Sequence, residues 1–201
     1  MDELAQLFSD AAKDAFLEIS NIGIGRAAAT MSDLVGRRVN IAVPELSFHH
    51  IGECCPFKGF ADCATVQVRQ SFYGELSGEA ILALSKQGAI CLARLLLDEV
   101  DMEDAFGDNE QGAILETGNI MIGGLVGKLS NTLSLSLSYE IPEIHLKGDS
   151  AISSDKLPVK TCMVVIQARL TVDNEDVTSY LVLLLTVENF KTLISRLNSI
   201  L

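Results

Sequence analysis

The apolar positions of the chain follow a helical pattern first and a strand pattern directly after it. One face of a long first helix is predicted by residues at helical spacing: Phe16, Ile19, Gly23, Ala27 and Leu34. Gly36 is expected to end this helix, because glycine adopts the left-handed conformation that closes helices. Alternating Val39, Ile41 and Val43 then predict a strand that runs to Pro44.

The rest of the chain continues with hairpins and further helices. A second long helix is predicted from a capping box at Asp108 and Gln111, and Leu133, Leu135 and Leu137 predict a strand after it. Two hairpins, each followed by an amphipathic helix, complete the pattern: 64–72 with 76–84 before 86–98, and 161–172 with 177–186 before 188–200. The pattern is typical of an α/β fold with a largely antiparallel sheet packed against long helices.

The two halves of the sequence resemble each other. Residues 14–45 align with residues 112–143, an offset of 98, and the later helices align at an offset of 102. The identical pairs include polar and conformationally special residues: Glu18/Glu116, Asn21/Asn119, Gly25/Gly123, Ser32/Ser130 and Pro44/Pro142. We therefore expect one domain over residues 1–201, built from repeats at approximately 10–100 and 108–201 that are related by a pseudo-twofold axis.

Composition and charge restrict the possible partners and compartment. Fifteen Lys and Arg against 27 Asp and Glu give a net charge of −12, which disfavours binding to nucleic acid or anionic membranes. A hydrophobic content of 48% excludes a disordered chain. Five cysteines without a framework spacing, no visible secretory signal and no long apolar run lead us to expect a cytoplasmic protein.

A polar row lies opposite the apolar face of each long helix. Asp14, Glu18, Asn21 and Gly25 lie on one side of the first helix, and Glu116, Asn119 and Gly123 repeat the row on the second, where Gly112 replaces the aspartate. In the middle of a helix, Asn lowers helix stability by about 0.5 kcal/mol and Gly by about 1 kcal/mol relative to Ala. Their presence at the same positions in both halves therefore indicates a function. The spacing alone leaves two interpretations open, a docking face that carries chemistry or an ordinary solvated face.

The same residues resemble the signature of the CheC/CheX/FliY phosphatases of bacterial chemotaxis. That signature is Asp or Ser, three residues, Glu, two residues, Asn, 22 residues and Pro. Asp14, Glu18, Asn21 and Pro44 match it completely, and Glu116, Asn119 and Pro142 match it again without the leading residue. The resemblance extends over essentially the whole chain, since the length and the internal repeat are also similar to those of CheC.

The resemblance implies dephosphorylation of the acyl-phosphate aspartate of a CheY-like response regulator. Asn21 and Asn119 would orient the attacking water, and Glu18 and Glu116 would pair with the lysine of the regulator. The chain itself would bind no metal or other cofactor, because Mg²⁺ would belong to the regulator. Asp14 is a supporting residue to which the sequence assigns no definite role. Gly25 and Gly123 would leave flat spots for docking, and Pro44 and Pro142 would shape the strand end beside the helix.

The resemblance also allows other assignments. Flagellar switch proteins resemble this fold without the Glu/Asn pair, so a non-catalytic adaptor that binds response regulators, or a switch-like interaction protein, is the alternative hypothesis. Gly112 raises the question whether the second site works as well as the first. The family resemblance further allows a CheD-like deamidase as a partner.

Four other signals favour ordinary structure. The Gly23–Ala28 stretch matches a dinucleotide fingerprint but lies within a predicted helix, where that motif has no function. A cluster without metal-ligand spacing is expected to be structural: His49, His50, Cys54, Cys55 and Cys63. His145 has no evident acidic partner for nucleophilic catalysis. The stripe of Leu4, Leu7 and Phe8 is expected to extend the first helix over the core, with a partner-binding helix as the alternative.

Overall fold

The computed structural model describes residues 8–50, 65–98, 106–147, 161–172 and 175–201. The helices of this part are α1 (Asp10–Val35), α2 (Lys86–Leu97), α3 (Asp108–Thr132) and α4 (Val187–Asn198). The strands are β1 (Val39–His50), β2 (Thr65–Gly74), β3 (Gly78–Ser85), β4 (Leu137–Tyr139), β5 (Glu143–Lys147), β6 (Thr161–Val172) and β7 (Glu175–Thr186).

The described strands form one sheet in which every pairing is antiparallel. The order is β1-β6-β7-β3-β2, and β4 and β5 lie one after the other along the free edge of β2. Both predicted hairpins are present, β2 with β3 and β6 with β7. The strand order is symmetric about the β3–β7 pair, which confirms the predicted antiparallel sheet with pseudo-twofold halves.

The two halves exchange their edge strands. β1 of the first half pairs with β6 of the second, and β4 and β5 of the second half pair with β2 of the first. Pro142 lies between β4 and β5, and Pro44 lies in β1 where the register shifts between Ala42 and Glu45. Because proline donates no backbone hydrogen bond, each edge strand is irregular at its proline. The side chain of Pro44 is outside the described part.

The helices lie on one face of the sheet and enclose the main core. Most of the core is aliphatic, with Phe8, Phe16 and Phe190 among its aromatic members. The opposite face carries a smaller buried cluster around Ile81, Val165 and Val182. The chain therefore buries both faces of its central strands, which explains the long apolar runs in β6 and β7.

The helix ends follow from local residues. Ser9, Ser85 and Thr186 each cap a helix by accepting a hydrogen bond from the backbone N–H three residues on, at 2.9–3.2 Å. Gly36 ends α1 at φ +64°, as predicted. Within the described residues, no helix is both long and apolar enough to cross a membrane.

Four local predictions were wrong. Asp108 does not cap α3: the cap position is Gly107, and Gln111 Nε2 instead donates to the Phe106 carbonyl at 3.2 Å. Leu34 lies off the apolar face and is 62% exposed. Leu133 and Leu135 are buried in the turn after α3, because Ser134 adopts φ +52° and delays the strand until Leu137.

The fourth wrong prediction concerns the start of the first helix. Phe8 is buried against Phe16, Phe48 and Phe190, but it precedes the Ser9 cap and does not extend α1. Leu4 and Leu7, from the same prediction, lie outside the described residues.

Candidate functional site

The polar row of α1 faces solvent along its whole length. Asp14, Glu18, Asn21 and Gly25 are exposed, whereas Phe16, Ile19, Gly23 and Ala27 are buried on the opposite side of the helix. Within the described part of the chain, the side chains of Asp14, Glu18 and Asn21 form no hydrogen bond or ion pair. They are therefore available to an external partner.

The row on α3 has the same exposure. Glu116, Asn119 and Gly123 are exposed, and the two polar side chains have no hydrogen-bond or ionic partner among the described residues. Gly112, which stands where α1 has Asp14, has open space around the position of an added Cβ. The second row thus presents a carboxylate and a carboxamide, but lacks the second carboxylate of the first row.

The glycines of the two long helices fall into two groups. A Cβ added at Gly25 or Gly123 would meet nothing within 4 Å, so the fold itself does not require glycine there. A Cβ at Gly23 would lie 2.4 Å from the Gly124 carbonyl oxygen, and one at Gly124 would lie 2.7 Å from that of Gly23. Gly23 and Gly124 permit close helix packing, whereas Gly25 and Gly123 leave two uncovered flat positions beside the polar rows.

The helix crossing relates the two rows to each other. Gly23 lies against Gly124 and Lys128, while Met31 and Val35 share a pocket with Ala113 and Thr117, so α1 and α3 run antiparallel. Asn21 and Asn119 lie on opposite sides of the crossing. At a rise of 1.5 Å per residue their separation along the helix axes is about 10 Å. The molecule therefore presents two separate Glu/Asn rows.

The backbone beside each row is held by short side chains. Ser20 Oγ donates to the Phe16 carbonyl at 2.7 Å, and Thr117 Oγ1 donates to the Ala113 carbonyl at 2.8 Å. These bonds satisfy the two buried hydroxyls within their own helices. Both hydroxyls are therefore paired within their own helices, whereas the Glu and Asn side chains of the two rows are exposed.

Other candidate chemistry is weaker. In the described part of the chain, no group of three or more His, Cys, Asp or Glu side chains could hold a metal ion. His145 Nε2 does have an acidic neighbour, Glu143 at 3.5 Å, contrary to the sequence-based expectation. Burial is the main cause that raises the pKa of the Cys91 thiol; the charge of Glu175 raises it further, and the charge of Arg94 opposes both effects. The raised pKa disfavours a nucleophilic thiolate at this position.

The His49–Cys63 stretch, predicted to be structural, lies almost entirely outside the described residues. Cys54, Cys55 and Cys63 lie outside the described residues, and only the backbone of His49 and His50 is described.

Two proteins of Bacillus subtilis (strain 168) are similar to the chain in sequence. The CheY-P phosphatase CheC is 29% identical over 147 residues, which make up 72% of this chain and 70% of CheC. The flagellar motor switch phosphatase FliY is 24% identical over 163 residues, 76% of this chain but only 42% of FliY. By these similarities the chain resembles the CheC/CheX/FliY family, and CheC in particular. No family model matches it.

Solved structures of this family and of FliM share the fold. Thermotoga maritima FliY superposes with a TM-score of 0.77 at 21% identity, covering 95% of this chain and 98% of that structure. The middle domain of H. pylori FliM superposes with a TM-score of 0.67 at 13% identity, covering 94% of this chain and 99% of that structure. CheX in the CheX–CheY–BeF3–Mg²⁺ complex from Borrelia burgdorferi superposes with a TM-score of 0.53 at 16% identity, covering 86% of this chain and 96% of that one. Similarity at these identities shows the fold alone, so the role of each site residue rests on the geometry described above.

Proposed function

We propose that the chain is a phosphatase that hydrolyses the acyl-phosphate aspartate of a CheY-like response regulator in chemotaxis signalling. The observation that carries the proposal is the exposed and unpaired Glu/Asn row, present on both α1 and α3. The similarity to CheC, a CheY-P phosphatase, supports the same activity. CheY is also the partner of CheX in the complex that shares this fold.

In this mechanism the asparagine side chain positions the attacking water. Hydrolysis of an acyl phosphate needs a water in line with the leaving carboxylate oxygen, and it needs little covalent help. The carboxamides of Asn21 and Asn119 can accept a hydrogen bond from that water through Oδ1 and donate one through Nδ2. An amide keeps both functions over a wide pH range because it does not titrate. The water attacks phosphorus, the bond between phosphorus and the aspartate oxygen breaks, and inorganic phosphate and a free carboxylate result.

The glutamate of each row fixes the docked regulator. Glu18 and Glu116 lie one helical turn before the asparagines and on the same side, so a lysine of the regulator that pairs with them sets the position of the amide. Asp14 adds a second carboxylate to the first row only. Mg²⁺ is held by the regulator in this proposal, since metal neutralises charge on the phosphoryl group and the described residues of this chain offer no metal cluster.

The mechanism is tested by phosphate release from an acyl-phosphorylated regulator. Asn21→Ala and Asn119→Ala should each lower kcat and leave the other site working, and the double variant should lose at least about 100-fold, the usual range for a positioned catalytic group. Glu18→Gln and Glu116→Gln should instead raise KM. Asn131→Ala is the matched control, because Asn131 is an exposed asparagine of α3 outside the row and should leave the rate unchanged.

Two outcomes contradict parts of this proposal. If the double asparagine variant released phosphate at the wild-type rate, the proposed role of the amides would be disproved. Binding of the phosphorylated regulator without faster release would favour the non-catalytic adaptor, a role consistent with the fold shared with FliM. Dependence on a CheD-like deamidase stays a prediction, and adding such a protein to the same assay examines it.

A further inference from the structure

An apolar pocket opens beside the second Glu/Asn row, and Glu116 of that row is one of its lining residues. Its volume is about 200 Å³, and it lies between the end of α1, the end of α2 and the start of α3. Its described lining comes from all three helices: Met31, Leu34, Val35, Leu96, Leu97, Ala113, Glu116, Thr117 and Ile120. We refer to it as the Leu34 pocket, after its most exposed apolar wall residue.

The wall of the Leu34 pocket offers almost no polar group. The hydroxyl of Thr117, one of the lining residues, is already bonded to the Ala113 carbonyl. Glu116 is the one charged side chain among the described lining residues, and it is also the carboxylate of the second row. A partner that contacts Glu116 therefore reaches the edge of the pocket.

Beside the first row, the described residues that correspond to the three leucines of the pocket are polar. In the internal alignment Leu34 corresponds to Thr132, and Leu96 and Leu97 correspond to Asn198 and Ser199. The three leucines that shape the pocket are thus replaced by polar residues where α3 and α4 end near the first row. The first row instead has Asp14, for which the second row has Gly112. The second site thus has an apolar pocket in place of a second carboxylate, and the first site has a second carboxylate in place of the three leucines.

We propose that the Leu34 pocket receives a large apolar side chain of the response regulator that docks at Glu116 and Asn119. This inference rests on the proposed function and adds to it the basis of recognition at the second site. The regulator would present a lysine to Glu116 and an adjacent apolar side chain to the pocket. A second copy of this chain fits less well, because its net charge of −12 disfavours self-association. The second site recognises its partner by apolar burial, and the first by the charges of Asp14 and Glu18.

The test isolates each site by inactivating the other. Asn21→Ala leaves the second site and Asn119→Ala leaves the first. Adding Leu34→Ser to the Asn21→Ala chain should raise KM about fivefold at unchanged kcat, because an apolar contact of docking is lost. The same change in the Asn119→Ala chain should have no effect, since Leu34 lies about 20 Å along α1 from Asn21. Leu34→Met keeps the apolar wall and should keep the wild-type KM.

The remaining outcomes overturn the inference. Equal KM changes at both sites, or no change at either, would show that the pocket is not part of docking at the second row. A dimer in sedimentation that Leu34→Ser dissociates would assign the pocket to a second copy of the chain. If the chain binds an acyl-phosphorylated regulator without accelerating phosphate release, the proposed function fails. The affinity of the Asn21→Ala chain with and without Leu34→Ser then still decides the role of the pocket.

Discussion

Two neighbouring glycines on α1 should respond to the same substitution in opposite ways. Gly25→Ala should raise the free energy of unfolding by about 0.5–1 kcal/mol, because an added Cβ meets open space and alanine is the better helix former. Gly23→Ala should lower it by about 1–3 kcal/mol, because the Cβ would lie 2.4 Å from the Gly124 carbonyl oxygen and force the helices apart. Urea unfolding of the two variants measures both changes.

The comparison between these glycines also bears on docking. If Gly25 is retained as a flat position for the regulator, Gly25→Ala should give a more stable chain with a higher KM at the first site. A stabilised variant with unchanged KM at that site would show that Gly25 has no part in docking.

At the residue scale, spacing predicts exposure better than it predicts packing partners. The helical period alone placed Glu18, Asn21, Glu116 and Asn119 on the solvent side, and the structure agrees. Leu34 was misplaced in this way, because its exposure depends on how the ends of α1 and α2 and the start of α3, which line one pocket, lie around it. The different roles of Gly23 and Gly25 also depend on the crossing of α1 and α3 and have no signal in the local sequence.

The caps of the shorter helices provide a test at the scale of one element. Ser85 Oγ accepts from the Gly88 N–H at 2.9 Å at the start of α2. Ser85→Ala should lower the free energy of unfolding by about 1 kcal/mol, because that N–H loses its acceptor. Ser85→Asp should restore most of the loss, and Ser195→Ala, an exposed serine within α4, should have almost no effect. Thermal unfolding of the three variants provides the comparison, and equal stability of Ser85→Ala and wild type would contradict the role of the cap.

Elements with strong local signals could be predicted, and those shaped by backbone irregularity could not. The helix beginning at Lys86 and the β6–β7 hairpin agree with their predicted positions within a few residues, since a serine cap and long apolar strands mark them. The strand after α3 was misplaced, because the alternation of Leu133 and Leu135 is equally compatible with a buried turn. The left-handed conformation of Ser134 decides between the two, and serine gives little warning of it.

At the scale of the whole molecule, the exchanged edge strands join the two halves into one sheet. β1 is the outer neighbour of β6, and β4 with β5 is the outer neighbour of β2, so each half completes the sheet of the other. α1 and α3 also pack against each other across the halves at Gly23 and Gly124. Sequence identity between the halves predicted the repeat but not this exchange, which depends on which edges the strands find in three dimensions.

The exchange predicts that the two repeats cannot fold separately as monomers. A fragment of residues 1–100 would leave β1 without β6 and would expose both edges of the β2–β3 hairpin, together with the α1 face that covers α3. Each fragment alone should therefore lack the far-ultraviolet circular dichroism of the intact chain. An equimolar mixture of residues 1–100 and 106–201 should recover it, and the intact chain should unfold in a single urea transition. Two separate transitions, or a monomeric half that folds alone in sedimentation and circular dichroism, would show instead that the repeats are independent domains.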